Sequence, residues 1–216
     1  RVGRMLRRPN APRERRDNPI VFLDIKVGDE HVGRLTIELR ADVVPKTAEN
    51  IRRLCTGETM SATTGKRRHY AHCPIHRVVK NRFCQSGDFM NHDGSGGEST
   101  FDPPEEESFN SSSLSGDEPK DDTMRSMRYF EDENFILRHV GAGVLSMVNS
   151  GPDSNACQFY LHFAANPDLD GLHVVFGALL GEDSYKVLKA IHAVASERGE
   201  SKKPVKIANA GQLYPN

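Results

Sequence analysis

The sequence predicts an all-β fold in which many short strands close into a barrel capped by two α-helices. Three observations carry that expectation. Runs rich in Val, Ile, Leu, Phe and Thr recur along the chain (PIVFLDIKV, HVGRLTIEL, GVLSMV, CQFYLHF, HVVFGALL and PVKIANAG), the composition of pleated, half-buried strands. Only PKTAENIRRLCTGE and DSYKVLKAIHAV show helical periodicity. Gly-rich turns separate the strands, and closure of such a set removes exposed edges.

The first two runs begin at Asn18 and meet at a turn, Gly28-Asp29-Glu30, which signals a hairpin. In the first helix Pro45 suits the opening turn, where its missing N–H costs nothing. Ala48, Ile51, Leu54 and Cys55 share one face, and Gly57 supplies the stop. In the second helix Tyr185, Leu188 and Ile191 fall in register. The stretch HRVVKNRFCQSGDF, residues 76–89, also reads as a strand, although it is half polar.

At 216 residues with net charge −1, the chain suits one sizeable domain without electrostatic bias toward nucleic acid or membrane. Its charge is uneven. Residues 1–17 carry Arg1, Arg4, Arg7, Arg8, Arg13, Arg15 and Arg16 against Glu14 and Asp17, and read as a basic, disordered tail. The domain is expected over 18–216. A Ser-, Pro- and acid-rich insert at about 101–128 is expected to be a mobile loop. No apolar run approaches the roughly 18–20 residues that span a bilayer. Four cysteines make no disulfide framework and point to a reducing compartment. A cytoplasmic location is expected, with mitochondrial or nuclear placement as alternatives suggested by the Arg-rich start.

Two motifs are set aside. His69, His72, Cys73 and His76 in HYAHCPIH have zinc-ligand chemistry, but Pro74 breaks any helix that would align them and no second cluster completes a finger. No metal and no cofactor is expected. TTGK is not a phosphate-binding loop, because a helix precedes it and Arg67 follows Lys66.

The strand pair 76–89 and 157–163 is the most informative part of the chain. Alternation puts Gln158, Tyr160 and His162 on one face and Cys157, Phe159, Leu161 and Phe163 on the other. Phe83 and Gln85 share a face in the same way, and Cys84 falls opposite them as a buried thiol. A surface of amides, rings, an imidazole and an Arg suits a peptide, since amides hydrogen-bond backbone and rings bury side chains.

Over roughly residues 18–213 the chain resembles the cyclophilins, the cyclosporin-binding peptidyl-prolyl cis–trans isomerases. The resemblance rests on GRLTIEL, VPKTAENIRRLCTGE, IHRVV, CQSGDF, GSGGES, FEDENFILRH, GVLSMVNSGPDSNACQF and LDGLHVVFG, in order and at near-fixed spacing. The TTGKRRHYAH loop, with Glu98, resembles the family's divergent-loop subset. The resemblance implies a closed eight-stranded antiparallel β-barrel with two capping helices, and isomerisation of X–Pro bonds in proteins. It implies that Arg77 donates to the prolyl nitrogen, with His76 beside it. Gln85 would orient Arg77 and the substrate backbone, and Asn149 would hold the residue before proline through its own backbone. Gln158, Tyr160, Leu169 and His173 would line the substrate groove, Tyr160 replacing a pocket Phe.

Departures from the family pattern also bear on function. The usual Pro-Gly-Phe-Met reads Lys80-Asn81-Arg82-Phe83, so Arg82 stands where a proline-pocket Phe is usual, and either Arg82 or its neighbour Phe83, which shares the face of Gln85, touches the substrate proline. Asp168 stands where the family usually has Trp, and Val148 and Ser150 replace two Ala residues beside the substrate backbone. A carboxylate cannot donate the hydrogen bond that an indole N–H gives cyclosporin, so weak cyclosporin binding is expected. The protein is expected to be a monomer acting on proline-containing peptides or proteins. The competing expectation is a proline-peptide-binding or scaffold module with weak or no turnover, because Arg82 and Asp168 alter the groove.

Overall fold

A computed structural model of the chain describes residues 18–61, 64–101 and 129–215. The tail expected over 1–17, and nearly all of the insert expected at about 101–128, lie outside the described residues. Strands β1 (Ile20–Val27) and β2 (Glu30–Leu39) pair antiparallel around Gly28-Asp29, as the hairpin signal predicts. The other strands are β3 (Arg77–Val79), β4 (Phe83–Ser86), β5 (Val144–Met147), β6 (Phe159–His162), β7 (Val175–Leu180) and β8 (Val205–Tyr214). They form one eight-stranded antiparallel sheet in the order β3-β4-β6-β5-β7-β2-β1-β8, curled into a half-barrel.

The expected closed barrel is not what forms. Among the described residues no ladder joins the edge strands β3 and β8. The segment just before β3 approaches β8 instead. His72 N–H donates to Ile207 O (2.7 Å), Ile75 N–H to Val205 O (2.8 Å) and Ile207 N–H to Cys73 O (2.9 Å). A single isolated bridge, Pro74–Lys206, lies between them. Pro74 has no N–H to give a ladder, and His72 sits at φ 73, outside extended space. The chain there cannot continue β3 as a regular strand, so the seam stays a short patch of hydrogen bonds.

Alternation builds the core. Val21, Leu23 and Ile25 of β1 point inward with Leu35, Ile37 and Leu39 of β2, and meet Leu145, Met147, Phe159, Leu161 and Phe176. Each such side chain contributes about 1.5–3 kcal/mol by leaving water. Helix α1 (Pro45–Thr56) adds its face of Ala48, Ile51, Leu54 and Cys55, and ends as expected at Gly57, whose φ of 66 suits a residue without Cβ. Its first turn has no local side-chain cap. Glu133 fills that role from a distance, accepting from the N–H groups of Lys46 (3.0 Å) and Thr47 (2.8 Å). A carboxylate at that end also faces the positive end of the helix dipole.

Helix α2 (Gly181–Ala193) starts earlier than the periodicity suggests and buries Ser184, Val187, Leu188 and Ile191. Tyr185, expected in register with Leu188 and Ile191, is instead 38% exposed. Val187 takes the inward place, lying against Gly33, while the Tyr185 ring leans out over Gly143. The loop after α1 is held from below by a buried ion pair. Glu98 accepts from Arg68 Nε and Ser61 Oγ, both at 2.8 Å. All four cysteines are free and buried.

Candidate active site

Residues 76–89 are not one strand but a tight hairpin. β3 and β4 pair directly, Arg77 facing Gln85 and Val79 facing Phe83, with Lys80–Arg82 as the turn. Asn81 adopts φ 60, a conformation Asn tolerates better than most residues. β4 then pairs with β6, Phe83 opposite His162 and Gln85 opposite Tyr160. Alternation therefore gathers Phe83, Gln85, Gln158, Tyr160 and His162 on one surface, as the pattern predicts. Cys84 is buried on the other, its thiol pushed up to about 12 by burial.

Arg77 is exposed and its guanidinium has no hydrogen-bond or ion-pair acceptor among the described residues. Two contacts fix its stem. Gly199, at φ 94, lies so close that a Cβ there would come within 2.8 Å of Arg77 Cγ. Next to it, Val78 N–H donates to Gly199 O (2.7 Å). The guanidinium carbon lies 5.6 Å from the centroid of the Phe83 ring. That ring is only 7% exposed and packs on Tyr160 at 4.3 Å between centroids. Tyr160 in turn meets the His173 ring edge to face at 5.5 Å. Burial raises the Tyr160 phenol, and the charges of Arg77 and Arg82 pull the other way.

Amide and carboxylate groups hold the neighbouring wall. Gln85 Nε2 donates to Gln158 Oε1 (2.8 Å), and Gln158 Nε2 donates to the carbonyls of Gly94 (2.9 Å) and Gly96 (2.6 Å). Asp88 organises the loop that carries those carbonyls. It is fully buried and accepts from the N–H groups of Met90, Asn91, Gly94 and Gly96 at 2.9–3.0 Å, and of Asp93 at 3.3 Å. Burial works to raise its pKa, but the backbone donors outweigh it and hold the carboxyl below its usual range.

On the opposite side Asn149 Nδ2 donates to Leu172 O (2.7 Å), and His173 Nδ1 donates to Met147 O (3.0 Å). Nδ1 thus carries the His173 proton, and burial lowers the ring's pKa. Behind the rings, Ser146 Oγ, His162 and Asn166 line up in the manner of a nucleophile, base and orienter. Asn166 donates to His162 Nδ1 (2.9 Å), so Nε2 bears the hydrogen and donates to Ser146 Oγ (2.9 Å). That tautomer cannot take a proton from the serine. Burial pushes His162 down to about 3, which keeps it neutral.

The surface thus offers an unpaired guanidinium above an aromatic floor, with amides alongside, in an antiparallel half-barrel. A family model for cyclophilin-type peptidyl-prolyl cis–trans isomerases matches residues 22–212. The chain belongs to the cyclophilin family. It is also 43% identical, over 91% of its own length and 96% of the relative's, to a protein named peptidyl-prolyl cis-trans isomerase H from Rhizopus delemar.

Within this cyclophilin the expected residues sit as follows. Arg77, Phe83, Gln85, Gln158, Tyr160 and His173 converge. Leu169, in a 3-10 turn over Pro167–Leu169, is half-buried, as are Val148 and Asn149, while Ser150 is exposed. Gln85 lies across the ladder from Arg77, but its amide nitrogen is committed to Gln158, so its orienting link runs into the Asp88 loop. The ring nitrogens of His76 are buried without partners beside Gly94, and burial lowers its pKa. The Arg82 guanidinium carbon lies 5.8 Å from the centroid of the Phe83 ring, against 5.6 Å for that of Arg77. Arg82 forms an ion pair with Asp168, joining the two positions that depart most from the family pattern.

Sequence reasoning gave no role to Asp88, Gly94 or Gly199. Asp88 carried one local signal: an Asx acceptor directly ahead of a loop rich in Asn, Asp, Gly and Ser. Gly199 carried none, since it reaches Arg77 only through the fold. His69, meanwhile, places Nε2 on Cys55 O (2.9 Å), and Cys73 Sγ donates to His69 O. Among the described residues no group of three or more His, Cys, Asp or Glu side chains is placed to hold a metal ion.

Proposed function

We propose that this cyclophilin isomerises X–Pro bonds by presenting the Arg77 guanidinium to the prolyl nitrogen as the amide twists. The observation that supports it best is the isolation of that guanidinium, with its stem fixed at Gly199 and its head beside the Phe83 ring. A planar amide resists rotation by about 18–20 kcal/mol because its nitrogen lone pair is delocalised. Twisting returns the lone pair to nitrogen, where it accepts a hydrogen bond that the planar ground state cannot. A donor placed there binds the twisted state selectively, which is the condition for catalysis. Guanidinium suits the task because it stays charged and its donors are rigid.

In this reading Phe83 and Tyr160 receive the proline ring, with Leu169 and His173 at the rim. Gln85 and Gln158 meet the substrate's backbone, and Asn149, braced through Leu172, presents backbone to the residue before proline. Val148 and Ser150 flank that segment. The protein works as a monomer on proline-containing peptides or proteins. Cyclosporin binds weakly, because Asp168 offers only acceptors; a nanomolar dissociation constant by titration calorimetry would contradict this.

The test is a protease-coupled or NMR-exchange assay on short X–Pro peptides. Arg77→Ala is expected to lower kcat/KM about 100-fold, the scale for removing one transition-state donor. An unchanged rate would remove Arg77 from the mechanism. A wild-type rate equal to the uncatalysed background would leave the alternative, a proline-peptide-binding module.

A further inference from the structure

We propose that Asp168 and Arg82 form a positioning pair: Asp168 draws the Arg82 guanidinium toward the rim and so limits how far it covers the Phe83 ring where the proline would lie. The inference rests on the site described above. Arg82 Nη2 donates to Asp168 Oδ2, and the two side chains are 47% and 60% exposed. The backbone of Arg82 is pinned, its carbonyl accepting from Phe163 N–H (2.8 Å) and Asn166 Nδ2 (3.1 Å). Among the described residues its side chain has one other hydrogen bond, a long 3.4 Å one from Nε to Asn166 Oδ1.

The guanidinium carbon already stands 5.8 Å from the centroid of the Phe83 ring, within cation–π reach. Arg77 stands 5.6 Å from the same ring. Among the described residues, the carboxylates of Asp170 and Glu197 are drawn to other partners. Asp170 accepts from His139 at both the backbone N–H and Nδ1 (2.8 Å each), and Glu197 pairs with Lys80 (2.9 Å). If Asp168 is removed, the Phe83 face is the strongest remaining attraction for Arg82, and that face is where the proline must lie. Without Asp168 the Arg82 charge would crowd the pocket; with it the guanidinium is held toward the rim.

The decisive property is non-additivity. Asp168→Ala is expected to lower kcat/KM on an apolar X–Pro peptide by up to about fivefold, the scale of an exposed ion pair. The loss should fall on KM rather than kcat, with an unchanged melting temperature, because competition for the ring affects binding and not the twisted amide. In the Arg82→Ala background the same Asp168→Ala change should have almost no effect, and the double variant should regain most of the loss. Equal effects in both backgrounds, or a loss confined to kcat, would overturn the proposal. Arg77→Ala, which lowers kcat/KM about 100-fold in every background if the functional reading holds, separates the two claims. Should wild type show no turnover, NMR titration of the Phe83 and Tyr160 ring signals with the same peptide gives the same comparison through Kd.

Discussion

At one end of the pocket Asp88 is buried, has no ion-pair partner among the described residues, and is stabilised by five backbone N–H donors. At the other, Arg82 and Asp168 meet at the surface as a single ion pair. Both place charge beside the same groove, yet they do different work. The buried carboxylate is held by dipoles the fold cannot rearrange, so it fixes the Gly94 and Gly96 carbonyls and, through Gln158, the position of Gln85. A buried polar network of this kind is costly to disturb, because any group left unpaired loses its full solvation. The exposed pair is worth at most about 1 kcal/mol, since water and salt compete for both partners. It adjusts the pocket without supporting it.

The largest expected effect tests the buried end. Asp88→Ala should destabilise the protein by about 2–4 kcal/mol, because Gly96 is buried and its N–H would lose its acceptor. Thermal unfolding measures it; a shift no larger than that of Asp168→Ala would break the contrast between the two ends. An effect that is small at neutral pH and grows with acid comes from His162. Its pKa is about 3 in the fold against an ordinary value of 6.5, so the unfolded chain binds the proton first as pH falls. Stability is fully present above about 6.5 and declines progressively down to about 3. His162→Gln should flatten that slope in denaturant titrations, and an unchanged slope would show that other groups carry it. The smallest effect tests the exposed end. Raising salt to about 1 M shortens the screening length to about 3 Å, and should raise KM less than twofold in wild type and not at all in Arg82→Ala. A salt response equal in both would mean the pair is already dissociated in solution.

The architecture was legible where the pattern is local and strong. The β1–β2 hairpin, helix α1 with its Pro45 start and Gly57 stop, and the shared face of Phe83, Gln85, Gln158, Tyr160 and His162 all follow from periodicity and turn chemistry. Tyr185 misled, because a three-residue register cannot say whether it or Val187 takes the inward place. Closure misled too: a run of strands says nothing of the seam, where Pro74 and the left-handed His72 interrupt pairing. The split of residues 76–89 into a hairpin was hidden because Lys80, Asn81 and Arg82 lack a Gly or Pro to mark the turn.

By itself the sequence determined the chemical inventory: an Arg, two Gln and an aromatic floor. It also determined which positions depart from the family, Arg82 and Asp168 above all. Only the tertiary structure decided that these two departures meet, that Glu133 caps α1 from 86 residues away, and that Gly199 sets the stem of Arg77. The physical reason is common to all three. Alternation and helical period fix which face a side chain takes, but contacts between residues far apart in the chain depend on how the sheet curls, and no local pattern encodes that.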